Sequence, residues 1–390
     1  MNFFKAKKIN QLLCIFLLFS ATMFSQQIVF DSISIDGLTR KYRLYIPENY
    51  DGTEAVPLVF NLHGYGSNSL EQLLYGDFRN IADTAGFIIA CPEGTPDLLG
   101  NLNWNTFGLS TVDDIGFLRQ FIDFLSTQYN VNQDRIYSTG MSNGGFMSYE
   151  LACGLSNKIT AIASVTGSMN TSLINTCFPG RPVPVMQIHG TADATVPYTG
   201  NLAFAHIDTV VKFWANLNAC FPLAEEEEVA NTNQADGCTA THYVWQPQGT
   251  AASVEFYKIN GGGHSWPGAI ININITNMDF NASSEIWRFF SAYKLSDLQE
   301  PAYVQEPNRK QFLLYPNPGR GIFTIDLGIH PEQETRIQVV DLTGREILNI
   351  VQKEKATTYS LEQLSSGIYT YLISGNNQIM AKGKLLIENQ

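Results

Sequence analysis

Residues Gly140-Met141-Ser142-Asn143-Gly144 place a serine between two glycines, after the strand-type run 135–139 and before the helix-type run 145–151. A serine hydroxyl attacks a carbonyl carbon only when a base takes its proton, and the base works only when a third group orients it. Such a serine stands clear of the backbone on a sharp, strained strand-to-helix turn, where side chains two residues either side would collide with the neighbouring strand and helix. Glycines at 140 and 144 remove that collision. The chemistry to expect is attack on an acyl carbon, and the chain then has to supply an acid, a histidine and oxyanion donors.

At an elbow of this type the acid and then the histidine follow the serine, on loops after later strands. His63 and His189 precede the acid position, His330 lies in a region of different pattern, and His206 and His242 do not follow a strand through a glycine-rich turn. His264 does, because Gly261-Gly262-Gly263 let the backbone turn sharply after the run 254–259 and aim the imidazole back at the serine. Asp193, in His189-Gly190-Thr191-Ala192-Asp193 just past the run 184–188, is the candidate acid. Asp208 and Asp236 lie in less suitable surroundings and read as solvated carboxylates. The oxyanion of a tetrahedral intermediate needs donors. The backbone N–H of Asn143 is one, and that of Tyr65 in His63-Gly64-Tyr65-Gly66 is the other. His63 itself reads as a structural imidazole holding that loop.

These residues need a scaffold that delivers them to one edge. Residues 27–35 and 40–46 flank Asp36-Gly37 and predict an antiparallel hairpin. Apolar runs at 57–62, 87–91 and 159–165, with further strand-type runs at 184–188 and 254–259, predict buried strands, and helical periodicity at 70–85, from Asp113 or Asp114 to 129, at 209–217 and at 282–293 predicts helices. Fully apolar strands alternating with helices imply an α/β fold, a mostly parallel sheet with helices on both faces. Beyond a Glu-, Gln-, Pro- and Asn-rich linker at 296–311, short alternating runs between 322 and 387 predict a small all-β sandwich over 312–390.

The 44% apolar and 15% charged composition is globular, and the net charge of −12 argues against a nucleic-acid surface. Lys5, Lys7 and Lys8 precede the apolar run 12–19, which is too short to span a bilayer, and Ser25 suits cleavage. Residues 1–25 therefore predict a signal peptide, the catalytic domain occupying 26–295. Export makes disulfides the expected state of cysteines. Cys153 with Cys177 and Cys220 with Cys238 are the simplest pairs, leaving Cys91 as a buried thiol. No C-x-x-C or H-x-x-x-H spacing suggests a metal site.

The motifs around His63, Ser142 and Asp193, together with Gly261-Gly262-Gly263-His264-Ser265-Trp266-Pro267-Gly268, resemble the secreted polyhydroxybutyrate depolymerase and feruloyl or acetylxylan esterase group of the α/β-hydrolases, a carbohydrate esterase family one-like set. The resemblance spans residues 28–294. It implies the α/β-hydrolase fold, Ser142, Asp193 and His264 as the triad, and carboxylic ester hydrolysis without metal or organic cofactor. Leu314-Tyr315-Pro316-Asn317-Pro318, Val340-Asp341-Leu342-Thr343-Gly344-Arg345 and Leu364-Ser365-Ser366-Gly367-Ile368-Tyr369 resemble the C-terminal sorting domain read by the type IX secretion system, which implies release to the surface or medium. A carbohydrate-binding sandwich is the competing reading of that domain, and all five tryptophans lie before residue 288, which disfavours it.

The expected activity is a secreted serine esterase releasing feruloyl or acetyl groups from plant polysaccharides. The same triad would serve a polyester depolymerase or, more distantly, a prolyl oligopeptidase-type peptidase, and a non-catalytic glycan-binding protein is a third class. Trp104 and Trp266, with Phe107 and Trp245, fall in loops near the expected mouth, where they would stack on a feruloyl ring or a sugar; local core is an equal reading.

Overall fold

The computed structural model describes residues 27–248, 252–271, 274–298, 313–315, 319–327, 335–341, 345–375 and 378–387. The signal peptide expected over 1–25 lies outside them, as does most of the linker expected at 296–311. Two compact units are present, Met1–Glu300 and Pro301–Gln390.

In the first unit, β1 (Gln27–Ile35) and β2 (Leu38–Ile46) pair antiparallel around Asp36 and Gly37, whose φ values of 52° and 78° suit a two-residue hairpin turn. There follow β3 (Val56–Leu62), α1 (Ser69–Tyr75), α2 (Arg79–Ala85), β4 (Ile88–Pro92), β5 (Thr95–Pro96) and β6 (Leu102–Asn103). Next come α3 (Asp114–Gln128), β7 (Val131–Met141), α4 (Asn143–Gly154), β8 (Ala161–Val165), α5 (Thr171–Thr176), β9 (Val185–Gly190) and α6 (Ile207–Leu217). The unit ends with β10 (Glu225–Glu228), β11 (Thr239–Trp245), β12 (Val254–Asn260), α7 (Ala282–Ser291) and α8 (Leu295–Leu298).

The ten-stranded sheet has the order β1-β2-β4-β3-β7-β8-β9-β12-β11-β10. Its centre, β4 through β12, is parallel, and the strands at either edge are antiparallel. Every residue of β4, β8 and β9 is buried, as a sheet covered on both faces requires. Strand pleat divides the core: β3 sends Leu58, Phe60 and Leu62 into a cluster with Phe121 of α3, Leu151 of α4 and Trp214 of α6. Its Val59 joins Leu73 of α1, Ala82 of α2 and Phe289 of α7 in another cluster.

One local expectation is corrected. The helical pattern at 70–85 is two helices, because the N–H of Gly76 closes α1 on Gln72, the Asn61 side chain captures the Gly76 carbonyl at 2.8 Å, and Phe78 turns into the core. At the opposite edge of the sheet, β10 carries four glutamates, all exposed, and pairs with β11. Like charge along an edge discourages pairing with another chain.

In the second unit, β13 (Leu313–Tyr315), β14 (Ile322–Asp326) and β17 (Ala356–Ser360) form one sheet. β15 (Thr335–Val340), β16 (Glu346–Gln352), β18 (Gly367–Gly375) and β19 (Gln378–Ile387) form the other. Phe323 and Ile325 from the first sheet share a core with Ile337, Val339 and Ile373 from the second, which makes the unit a sandwich.

Candidate active site

β7 ends at Met141 and α4 begins at Asn143, so Ser142 alone makes the turn, at φ 54° and ψ −119°. A serine rarely holds a positive φ, and the surroundings enforce it. A Cβ at Gly140 would lie 2.5 Å from the Leu62 carbonyl oxygen and one at Gly144 only 2.0 Å from it. Strand β3 thus presses its last carbonyl against both sides of the elbow. The Ser142 N–H is held by the Val165 carbonyl at 2.8 Å, which ties the turn to β8 as well.

β9 and β12 are parallel neighbours, so the loops leaving their carboxyl ends meet. Gly190 and Gly262 touch there, and a Cβ at Gly190 would lie 2.2 Å from the Gly262 oxygen. The contact lets His264 Nδ1–H donate to Asp193 Oδ2 at 2.7 Å. Asp193 Oδ1 accepts from the N–H groups of Thr195 and Val196, both at 2.8 Å. Burial pushes this carboxyl up, but the hydrogen bond and charge of His264 and the Val196 N–H outweigh it and hold Asp193 below its ordinary range. His264 and Ser142 line one cavity of about 420 Å³, with no hydrogen bond between the two side chains.

The other two histidines nearby are occupied. His63 Nδ1–H donates to the Gly64 carbonyl at 2.7 Å and its Nε2 accepts from Gly94 N–H at 2.9 Å, with burial lowering its pKa. His189 Nδ1 accepts from Gln187, its Nε2–H donates to the Val196 carbonyl, and burial holds it down to about 4. Both rings are neutral braces for the loops they sit in.

Gly64 brings the β3 loop against the elbow, a Cβ there lying 3.4 Å from Ser142 Cβ. The Tyr65 and Asn143 backbone N–H groups have no acceptor among the described residues. The Asn143 side chain does what sequence reasoning did not assign to it. Its Oδ1 accepts from Trp104 N–H at 2.6 Å, and its Nδ2 donates to the Trp104 carbonyl and to Thr106 Oγ1. Asn170 Nδ2 extends the chain from the Thr106 carbonyl to Glu150 Oε1. Burial raises the Glu150 carboxyl to about 7. An asparagine beside Ser142 carries no signal of this bracket, because its partners are about 40 residues away in the chain.

A second cavity of about 240 Å³ shares Ser142 and Tyr65 with the first and is walled by Phe107, Leu109, Phe146 and Val196. Phe146 packs on Phe107 at 5.3 Å and on Phe204 at 5.6 Å between ring centroids. The tryptophans expected to stack on substrate are largely core. Trp266 is 2% exposed, packs on Phe78, and donates to Ser283 Oγ. Trp104 borders the second cavity but is 1% exposed, its indole N–H donating to the His63 carbonyl at 3.0 Å.

Cys153 and Cys177 form a disulfide with their Cα atoms 5.1 Å apart. The second expected bridge is corrected: Cys220 and Cys238 are buried free thiols, as is Cys91. Cys238 directly precedes β11 while Cys220 bridges to Pro247 beyond its far end, so the length of that strand separates them. Among the described residues no three His, Cys, Asp or Glu side chains gather as metal ligands, and no helix is long and apolar enough to cross a membrane.

Residues 313–388 match the secretion system C-terminal sorting domain. The bifunctional acetylxylan esterase/xylanase XynS20E of Neocallimastix patriciarum is 26% identical over 257 residues, covering 66% of this chain and 34% of that protein. Feruloyl esterase B of Piromyces equi is 28% identical over 239 residues, covering 58% and 42%. The chain thus spans well under half the length of these two. The probable feruloyl esterase C of Aspergillus niger is 29% identical over 262 residues, covering 65% of this chain and 84% of that one. Acetyl xylan esterase from Aspergillus awamori has a similar fold, with a TM-score of 0.50 at 16% identity, over 69% of this chain and 99% of that one. The chain therefore joins an α/β-hydrolase unit, similar in sequence to feruloyl and acetylxylan esterases, to a type IX C-terminal sorting domain, and is an exported protein, secreted or held at the cell surface.

Proposed function

We propose that the protein is a serine carboxylic ester hydrolase acting on feruloyl or acetyl esters of plant polysaccharides. The observation that carries this reading is the His264–Asp193 hydrogen bond of 2.7 Å at a cavity that also holds the strained Ser142. Ser142 Oγ bonds to the ester carbon as its proton passes to His264 Nε2, and Asp193 fixes the ring so that Nε2 faces the reaction. The carbonyl oxygen becomes an anion that the Tyr65 and Asn143 N–H groups receive. Breaking the bond to the alcohol, with the His264 proton going to its oxygen, leaves an acyl-Ser142 ester. Water then repeats the sequence and releases the acid.

His264 serves the leaving oxygen and lines only the first cavity, so the alcohol belongs on that side and the acyl group in the second. The aromatic walls of the second cavity favour a planar feruloyl group over acetyl. We also infer a signal peptide over 1–25 and a linker over 296–311.

Initial rates on methyl ferulate, acetylated xylan and polyhydroxybutyrate test the substrate. Ser142→Ala should lower turnover of p-nitrophenyl acetate by about three orders of magnitude. An unchanged rate refutes the assignment, and cleavage of a proline peptide but of none of the three esters refutes the activity.

A further inference from the structure

We propose that Trp104 is a positioning residue that sets the spacing of the two oxyanion donors, an inference that rests on the esterase reading of Ser142. The donors, the N–H groups of Tyr65 and Asn143, belong to separate segments of the chain, the loop after β3 and the elbow after β7. Two backbone N–H groups stabilise one oxygen only when both aim at the same point, so one segment must be fixed against the other.

Residues 102–104 span the two. On the side of Tyr65, the Leu102 carbonyl accepts from Gly66 N–H at 2.8 Å, and the Trp104 indole N–H donates to the His63 carbonyl at 3.0 Å. Tyr65 is thereby held through the chain on both sides of it. The His63 ring also lies against the indole, with ring centroids 5.3 Å apart. On the side of the elbow, one side chain takes both backbone polar groups of Trp104. Its N–H donates to Asn143 Oδ1 at 2.6 Å, and its carbonyl accepts from Asn143 Nδ2 at 3.1 Å. This strut has its own footing, because Asn105 N–H donates to Asp114 Oδ2 at 2.7 Å and Asp114 Oδ1 forms a buried ion pair with Arg40 at 2.8 Å.

Core packing does not account for this pattern. Trp214 is as buried as Trp104, yet its indole N–H has no partner among the described residues, and the Trp266 indole bonds to Ser283 of α7. Trp104 sends its indole N–H to one donor segment and its backbone N–H and carbonyl to the other. A shift of the strut would move the donors apart while leaving Ser142, Asp193 and His264 in place. It would weaken binding of the transition state and spare binding of the substrate.

The test uses the full chain with Trp104→Phe, which keeps a flat apolar ring without the indole N–H, and Asn143→Ala, which opens the other end. Turnover of p-nitrophenyl acetate is divided by the sites that a fluorophosphonate titrates, so that unfolded protein does not count. Each variant should lose about 10- to 100-fold in kcat per titrated site, with KM within about threefold of wild type. Phenylboronic acid bonds through boron to Ser142 Oγ as the serine proton passes to His264, leaving a tetrahedral anion with an oxygen between the donors. Its affinity should fall by a similar factor. The double variant should lose about as much as the worse single one, since either break frees the same spacing. A kcat per titrated site within about twofold of wild type for Trp104→Phe overturns the proposal, as does a double variant in which the two losses multiply. Should Asn143→Ala fail to fold, kcat and boronic acid affinity of Trp104→Phe decide alone. A wild type that neither turns over the ester nor titrates refutes the esterase reading itself, whereas an active wild type with an unaffected Trp104→Phe refutes only the strut.

Discussion

Asp193 Oδ2 and His264 Nδ1 lie 2.7 Å apart although 71 residues separate them, because they leave the ends of adjacent parallel strands. The carboxylate side chain is fully buried and the imidazole nearly so. Asp193→Asn keeps the shape but removes the charge and lets His264 turn its wrong nitrogen to the serine. It should lower kcat by about 10²–10⁴ with circular dichroism unchanged. A fall of less than threefold would contradict the assigned role.

Glu150 should make stability depend on pH. Its folded pKa of about 7 is above the ordinary 4.5, so the protonated form is the one the fold favours. The stability it contributes is complete below about pH 4.5 and is lost as pH rises through 7. Glu150→Gln should therefore raise stability by on the order of 2 kcal/mol at pH 8 and change it little at pH 4. Urea unfolding at the two pH values checks the difference.

Thiol counts should separate the cysteine pairings. Denatured but unreduced protein, cleaved after residue 25, should react at Cys91, Cys220 and Cys238, with Cys153 and Cys177 joining only after reduction. A single reactive thiol would restore the Cys220–Cys238 bridge. Replacing Cys153 and Cys177 together with serine should cost about 3 kcal/mol.

Gly144→Ala should damage stability and activity together. Its methyl group would stand 2.0 Å from the Leu62 carbonyl oxygen, which belongs to the sheet and cannot move aside alone. A loss of about 3 kcal/mol or more in thermal or denaturant unfolding is expected. Gly180→Ala, with open space around its Cβ position, is the control and should change little.

The chain's own residue pattern determined the elbow, the alternation of buried strands with helices, and the sandwich at the C-terminus. Each is marked by a local pattern: Gly140 and Gly144 flank Ser142 at the spacing of a strand-to-helix elbow, although the contact they relieve is with Leu62 of β3, and the unbroken apolar run of β4 answers burial on both faces. The choice of Asp193 and His264 rested on order and on turns, which are also local. Tertiary structure alone decided what distant neighbours decide. Trp266 is core because Phe78 and Ser283 close over it, whereas Phe107 in an equally aromatic loop remains half-exposed at the second cavity. Cys220 and Cys238, 18 residues apart on paper, are separated because the chain between them returns along β11. Asn143 braces the Trp104 loop only because β3 and β7 are neighbours in the sheet. Sequence spacing encodes backbone geometry within an element; which side chains then face each other is set by the sheet order, which joins segments far apart in the chain.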